Sequence, residues 1–414
     1  MTTTQAAAHF SAMPERRKES WHIALVSAAH FVSHFFIMLL PPLFVFIRED
    51  YGVSYTQLSL AFVAFNVVTA LLQTPTGFVV DRFGARPLLA AGLALGGGAF
   101  AVAALAQSFW LFVAMFAVAG LANTVYHPAD YTLLSQRVSP SRMGPAFAIH
   151  TFSGMLGGAA APGALLLLYQ IVGWRGAFLA AAMLGIAAAL VIAVSRGLEH
   201  DRAAADAKGA GEAHSTAAGG LRLLLSLPIL QNLLFFVLVT LATTGLQNFS
   251  IVTLGALYAT PLGLANTALS GYLLLTAIGV LSGGIVAART KRHALVAAAG
   301  LAGGALIVLL IGSIDVGAAL LVLFMALAGF LNGIIMPSRD LIVRESTPPG
   351  AFGKVFGFVT SGYNIGGIIA PPVFGAMLDH GTPRAVFFFM AAAFLVSVLT
   401  VISMPRWRAQ PSSS

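Results

Sequence analysis

Cysteine is absent from the 414 residues, and Asp, Glu, Lys and Arg together make up only 9% of them. The missing thiols exclude a disulfide scaffold and thiol chemistry, and say little about compartment. A soluble globular chain carries about 25% charged residues, so the scarcity of charge excludes a soluble enzyme. A net charge of +8 would suit a nucleic-acid binder. However, the basic residues form no single patch, and no nucleic-acid partner is expected. No Gly-x-x-x-x-Gly-Lys-Ser/Thr sequence occurs, so nothing points to ATP-driven pumping. No catalytic constellation and no cofactor motif is present either, and an enzyme is not expected.

What is abundant is apolar sequence. Hydrophobic residues make up 58% of the chain and the mean hydropathy is +0.89. A membrane-crossing helix needs roughly 20 mostly apolar residues. Twelve such runs begin near Trp21, Tyr55, Pro87, Trp110, Met143 and Gly176, then near Leu227, Leu264, Ala294, Val316, Phe352 and Arg384. The first run is too long for a signal-peptide core and lacks a small-residue cleavage site, so it is read as retained. The expected fold is an all-α membrane protein of twelve transmembrane helices in two pseudo-symmetric six-helix bundles. Its expected divisions are an N-terminal tail (1–20), a first bundle (21–196), a polar linker rich in Ala, Gly, Asp and Lys (197–226), a second bundle (227–404) and a C-terminal tail (405–414). Most of the 22 Lys and Arg residues fall on one side of the twelve runs; only Arg48, Arg175 and Arg384 lie opposite, and Arg339 lies within a run. Positive loops stay inside, which predicts that both termini are cytoplasmic and that the chain sits in the cell inner (cytoplasmic) membrane.

The halves repeat at a constant shift of 209 positions. Gly120, Asn123 and Pro128 match Gly329, Asn332 and Pro337; the register continues through Pro140/Pro349, Gly144/Gly353, Gly157/Gly366, Pro162/Pro371 and Arg175/Arg384. Prolines and an asparagine holding one register across two spans and a loop are not expected of chance. Duplicated halves place a substrate site at their interface near the bilayer midplane.

The loop Gly77-Phe-Val-Val-Asp81-Arg82-Phe-Gly84-Ala-Arg86-Pro87 between spans two and three resembles the signature loop of the major facilitator superfamily. With the 6+6 spans, the resemblance covers nearly the whole chain. Its second-half counterpart, Ala288-Arg289-Thr-Lys291-Arg292-His293, keeps the charge and lacks the aspartate. The resemblance implies that Asp81 acts in conformational change, holding the outward-open state with Arg82, Arg86 and Arg137 as partners, and that a single chain is the working unit. Within the first half, Ser33-His34, Leu72-Gln73-Thr-Pro75 and Tyr126-His127-Pro128 are similar to fosmidomycin-resistance-type exporters. In that branch an acid follows the Ser-His pair, where this chain has Phe35 to Met38, and Glu follows His-Pro directly, where this chain has Ala129 and then Asp130. A Gly-Pro pair marks span five of exporters; here Ala161 precedes Pro162.

A transporter without a motor uses an existing gradient, and that requires ionisable groups inside hydrocarbon, where they are expensive. Span four carries Asn123, His127, Asp130, Leu134 and Arg137 at steps of four and three, on one helical face. The matching face of span ten reads Asn332, Met336, Arg339 and Val343, and Arg339 is the repeat partner of Asp130. The repeat therefore predicts an acid set opposite a base, as a gate pair or as a pair lining the cavity. Asp340 follows Arg339, points about 100° away and is expected to pair with Arg344 one turn later. Arg344 and Glu345 also suit an interfacial cluster fixing the end of that span. His30 and His34 are one turn apart on span one, and His150 begins span five; each titrates in a range that suits proton carriage. A metal ion held by His30 and His34 is not expected, because no third ligand pattern accompanies them. Gln247, Asn248, Tyr363 and Asn364 are placed to orient a small ligand or to bond helix to helix. Gly154/Gly158 and Gly362/Gly366 are spaced for close helix approach. Together these residues predict a proton-coupled secondary transporter of a small organic solute, with an anion favoured by Arg339. Efflux of a drug or metabolite by antiport is one form; uptake of a carboxylate is the alternative, and a non-transporting receptor on the same scaffold a further one.

Overall fold

The computed structural model describes residues 14–195, 222–348 and 351–403, with the side chains at 352 and 353 excepted. Among these residues every regular element is helical. The expected linker and C-terminal tail lie almost wholly outside the described residues, as do the first 13 positions of the N-terminal tail and Pro349 of the repeat.

Helices α1 to α4 are Glu15–Ile37, Tyr55–Phe83, Ala85–Leu105 and Phe109–Arg137. Helices α5 and α6 are the two arms of Met143–Val194, divided where Gly173 takes φ 68°. That left-handed conformation is free for glycine and strained for a residue with a Cβ. The second half comprises α7 (Leu227–Tyr258), α8 (Leu262–Arg289), α9 (His293–Ser313), α10 (Ala318–Glu345), α11 (Phe352–Asp379) and α12 (Pro383–Ile402). Ten stretches are long and apolar enough to cross a membrane. One of them holds both α5 and α6, and α11 at 28 residues brings the number of crossing helices to twelve. The six-plus-six arrangement expected from hydropathy is what the chain forms. A short helix, Phe44–Tyr51, extends α1 beyond a break at Pro41–Leu43. In α7 the ladder loosens into a π-helical turn at Gly245–Phe249.

The chain divides into two compact units. Of the described residues, the first takes 14–53 and 60–195; the second takes 54–59, 222–348 and 351–403. Ser54–Ser59 goes with the second because Asp379 accepts hydrogen bonds from the Tyr55 and Thr56 N–H groups, each at 2.8 Å, and from the Thr56 hydroxyl at 2.6 Å.

In the first unit α1 packs on α5, and α3 lies against α4 and α6. Any side chain at Gly157 would meet the Phe31 main chain, so α1 and α5 touch backbone to backbone. Of the pair expected to allow close approach, Gly158 faces Met38 Cγ, 3.7 Å from where a Cβ would stand, and Gly154 lies under the rings of His30 and His34. In the second unit Gly362 and Gly366 do face α7, against Phe236 and Thr240.

The repeat recurs in the contacts. Arg175 donates to the Ala104 carbonyl at the end of α3 at 2.7 Å, and Arg384 donates to the Ser313 carbonyl at the end of α9 at 2.9 Å. Donor and acceptor are both displaced by 209. The same holds for Gly157 against Phe31 and Gly366 against Thr240.

Candidate functional site

The first unit buries its chemistry in one place. His30 and His34 come from α1, His127 and Asp130 from α4, and His150 from the start of α5. His30 and His150 stack with ring centroids 3.9 Å apart and planes 22° from parallel. His34 and His127 stand edge-on to His30 at 4.5 and 5.1 Å. Asp130 is 0% exposed. Its Oδ2 lies 3.2 Å from His30 Nδ1 and 3.8 Å from His150 Nε2. Neither Asp130 oxygen makes a hydrogen bond, nor does His127 Nδ1 or either nitrogen of His150. The imidazoles of His30, His127 and His150 thus lie about one buried carboxylate whose lone pairs are unsatisfied, with His34 behind His30.

The local sequence explains the convergence. One helical turn separates His30 from His34, and three residues separate His127 from Asp130, so each pair projects from one face. Gly154 makes room on α5: a Cβ there would stand 3.0 Å from His34 Cδ2 and closer still to His30. Ser33 Oγ lies 3.5 Å from His30 Nδ1, and the exposed Tyr131 ring tilts toward His150 at 5.7 Å. Asn123 is half-buried further along α4, beside Ser33, Phe36 and Tyr126.

In the second unit Arg339 is 8% exposed. Its guanidinium lies 4.8 Å from the Phe236 ring centroid and 5.4 Å from that of Tyr363. Both Nε and Nη2 donate to Asp340 Oδ1 at 2.9 Å. Within their own units Arg339 meets Asp340, and Asp130 meets His30. One expectation is corrected outright. Asp340 pairs with Arg339 because the long arginine side chain reaches around the helix to the adjacent carboxylate, and Arg344 is left exposed. Glu345 approaches His293 at 3.8 Å. Asn332 is buried with its Nδ2 unpartnered, and Asn364 is half-buried. Gln247 and Asn248 occupy the π turn of α7, where Gln247 faces the buried Tyr272 hydroxyl.

Asp81 and Arg82 are exposed at the end of α2. Arg86, expected beside Asp81, donates to the Ile192 and Ala193 carbonyls, capping α6. Arg137 ends α4 half-buried. Sequence reasoning missed the Glu19–Arg142 pair at 2.7 Å, which ties the loop after α4 to α1. It also missed Phe236, whose role against Arg339 no pattern signalled. His150 was named without its place in the cluster, since only tertiary packing brings α5 to α1. The third metal donor judged absent from the sequence is present in space. His30, His127 and His150 each offer a ligand atom within 4.8 Å of the others.

The family model of the Major Facilitator Superfamily matches residues 26–318 and 262–414. The chain belongs to this family and is a multi-pass membrane transport protein. It is 23% identical to the fosmidomycin resistance protein of Escherichia coli over 385 residues, 92% of this chain and 91% of that one. It is 25% identical over 140 residues to the probable L-galactonate transporter of E. coli and 31% identical over 134 residues to the probable sulfoacetate transporter SauU of Cupriavidus necator. The alignment covers 34% and 32% of this chain and spans 31% of the length of each of those two relatives. Among solved structures, the nucleoside transporter NupG superposes with a TM-score of 0.76 at 14% identity, covering 92% of this chain and 98% of that one. A bacterial homolog of the human lysosomal transporter Spinster superposes at 0.75, also at 14% identity, covering 95% and 99%.

Proposed function

We propose that the protein is a proton-coupled secondary transporter of a small organic anion, working by alternating access in the bacterial inner membrane with both termini cytoplasmic. One observation carries the reading: a fully buried carboxylate, Asp130, packed among the imidazoles of His30, His127 and His150 with its oxygens unsatisfied. An unpaired carboxylate in a low-dielectric interior is costly. One proton shared between Asp130 and its ring neighbours removes that cost, and several equivalent positions a few ångströms apart allow the proton to be taken up and passed on. Arg339, held between Phe236 and Tyr363, supplies the cation for an anionic solute; a stacked guanidinium retains donors for carboxylate, sulfonate or phosphonate oxygens.

The likeness to the fosmidomycin resistance protein along 92% of the chain supports export as the direction. The partial relatives named for L-galactonate and sulfoacetate support the second reading, uptake of an organic acid. Proteoliposomes containing a trapped pH dye test both. Addition of small carboxylates, sulfonates or phosphonates should move protons, in the direction opposite to the anion for export and with it for uptake. Asp130→Asn should reduce this proton movement at least tenfold. Anion flux indifferent to a pH gradient, in the native protein and the variant alike, overturns the coupling. No flux of any anion overturns the substrate class.

A further inference from the structure

We propose that the first unit binds one divalent transition-metal ion of the borderline class, Zn2+, Co2+ or Ni2+, through His30, His127, His150 and Asp130. The donor set is three imidazoles and one carboxylate. That set suits Zn2+ and its neighbours and not Mg2+ or Ca2+, which take oxygen shells.

The spacing agrees. Bonds of about 2.0–2.1 Å in a tetrahedral shell separate ligand atoms by about 3.4 Å. Asp130 Oδ2 lies 3.2 Å from His30 Nδ1 and 3.8 Å from His150 Nε2. The three histidines offer nitrogens within 4.8 Å of one another, a gap that small ring rotations close. The four ligands come from α1, α4 and α5, so the site is built by packing and is invisible to ligand-spacing motifs.

The unsatisfied atoms are the independent observation. Buried polar atoms almost always find partners, and each exception calls for one. Here both Asp130 oxygens, both His150 nitrogens and His127 Nδ1 make no hydrogen bond, and all belong to one cluster. Coordination by a single cation would satisfy a lone pair on each of the three residues at once. The edge of His34, 4.5 Å from the His30 ring centroid, packs beside it. Among the three histidines His127 is the half-buried one, and its ring stacks on the exposed Tyr131 at 6.1 Å.

The site goes beyond the coupling reading and does not depend on it. The test uses the full chain, purified in detergent without a polyhistidine tag, stripped with chelator and titrated with Co2+. Four-coordinate Co2+ should give visible d–d bands that saturate at one ion per chain, and excess Zn2+ should erase them. Zn2+ should also raise the melting temperature of the native protein. His150→Ala and the near-isosteric Asp130→Asn should each weaken Co2+ binding at least tenfold, whereas His380→Ala, outside the cluster, should not. Metal-free melting curves establish that each variant folds. Absence of the bands, binding of several ions without them, or saturation unchanged in Asp130→Asn and His150→Ala overturns the proposal. Proton-coupled flux by chelator-treated protein that binds no Co2+ would sink the metal site alone; Co2+ binding without pH-dependent flux would sink the coupling alone.

Discussion

Alanine at three neighbouring glycines of α5 should give three different results, because the same methyl group meets three different surroundings. In a helix the exchange itself favours alanine by up to about 1 kcal/mol. At Gly158 the new Cβ meets only Met38 Cγ at 3.7 Å, an ordinary contact, so the full gain should appear. At Gly157 the methyl lands on the Phe31 carbonyl and stands 3.0 Å from Phe31 Cα. Main chain cannot swing aside, so α1 and α5 must separate. Overpacking costs typically about 1–3 kcal/mol; at the upper end, less the helix gain, Gly157→Ala should destabilise by about 2 kcal/mol. At Gly154 the obstacle is the rings of His30 and His34, which can turn at a cost of about 1–2 kcal/mol, so stability should change little. The turned His30 ring would leave Asp130, and proton-coupled flux should fall at least tenfold. Thermal unfolding in detergent, followed by intrinsic fluorescence, should rank the variants 158 above 154 above 157. Equal melting of Gly157→Ala and Gly158→Ala would refute the backbone contact between α1 and α5. Native flux in Gly154→Ala would refute the tight seating of the cluster.

The other expectations concern single side chains. Arg339→Lys keeps the charge but loses the planar group between Phe236 and Tyr363, and should raise the KM for the anion about tenfold, equivalent to about 1.4 kcal/mol, with flux at saturation retained; an unchanged KM would remove Arg339 from the solute's path. Arg175 makes hydrogen bonds to the Ala104 and Ala106 carbonyls and to Asp50 and lies 4.3 Å from the Trp174 centroid, whereas Arg384 shows one hydrogen bond, to Ser313. Arg175→Ala should therefore lower the melting temperature clearly more than Arg384→Ala, and the reverse order would show that the repeat contacts do not carry the stability assigned to them. Arg142→Ala removes a charge-assisted bond to Glu19 at 2.7 Å and bonds to Arg16 and Ser20. Given its partial exposure the loss should be about 1–2 kcal/mol, read from the same melting curves.

The helices were legible because hydrocarbon imposes a simple rule: backbone polar groups must be satisfied within the segment, and a run of apolar residues is the visible consequence. The starts read near Tyr55, Phe352 and Arg384 fall on or next to helix ends at Tyr55, Phe352 and Pro383. The start read at Trp21 is late, because Glu15 to Ser20 form a polar first turn and more that hydropathy cannot mark. The π turn at Gly245–Phe249 left no trace either, since one loosened hydrogen bond changes no composition. Within the site, helical spacing paired His30 with His34 and His127 with Asp130. It could not add His150, which joins only because Gly154 and Gly157 let α5 press on α1. Nor could it foresee that the flexible Arg339 side chain would take the adjacent carboxylate, Asp340, before Arg344 could.

The repeat shows where the two halves parted in chemistry. The positions that set geometry kept their partners: Arg175 and Arg384 reach equivalent carbonyls, and Gly157 and Gly366 meet equivalent residues of α1 and α7. The positions that carry ionisable groups did not. At the shift of 209, His30, His34, His127 and His150 become Val239, Thr243, Met336 and Val359, and Asp130 becomes Arg339. Gly154, which leaves space for two imidazoles, becomes Tyr363, whose ring lies against the guanidinium. Cation-accepting groups are thus collected in one unit and the buried cation in the other. Such a division suits a carrier that handles a positive ion and an anionic solute at separate places, because each can then bind without cancelling the charge that attracts the other. It also makes a sharp demand. Grafting tyrosine into the first unit as Gly154→Tyr should abolish Co2+ binding and proton coupling together while leaving anion binding at Arg339 measurable by thermal shift; loss of anion binding in a variant that still melts cooperatively would show that the two chemistries are not divided.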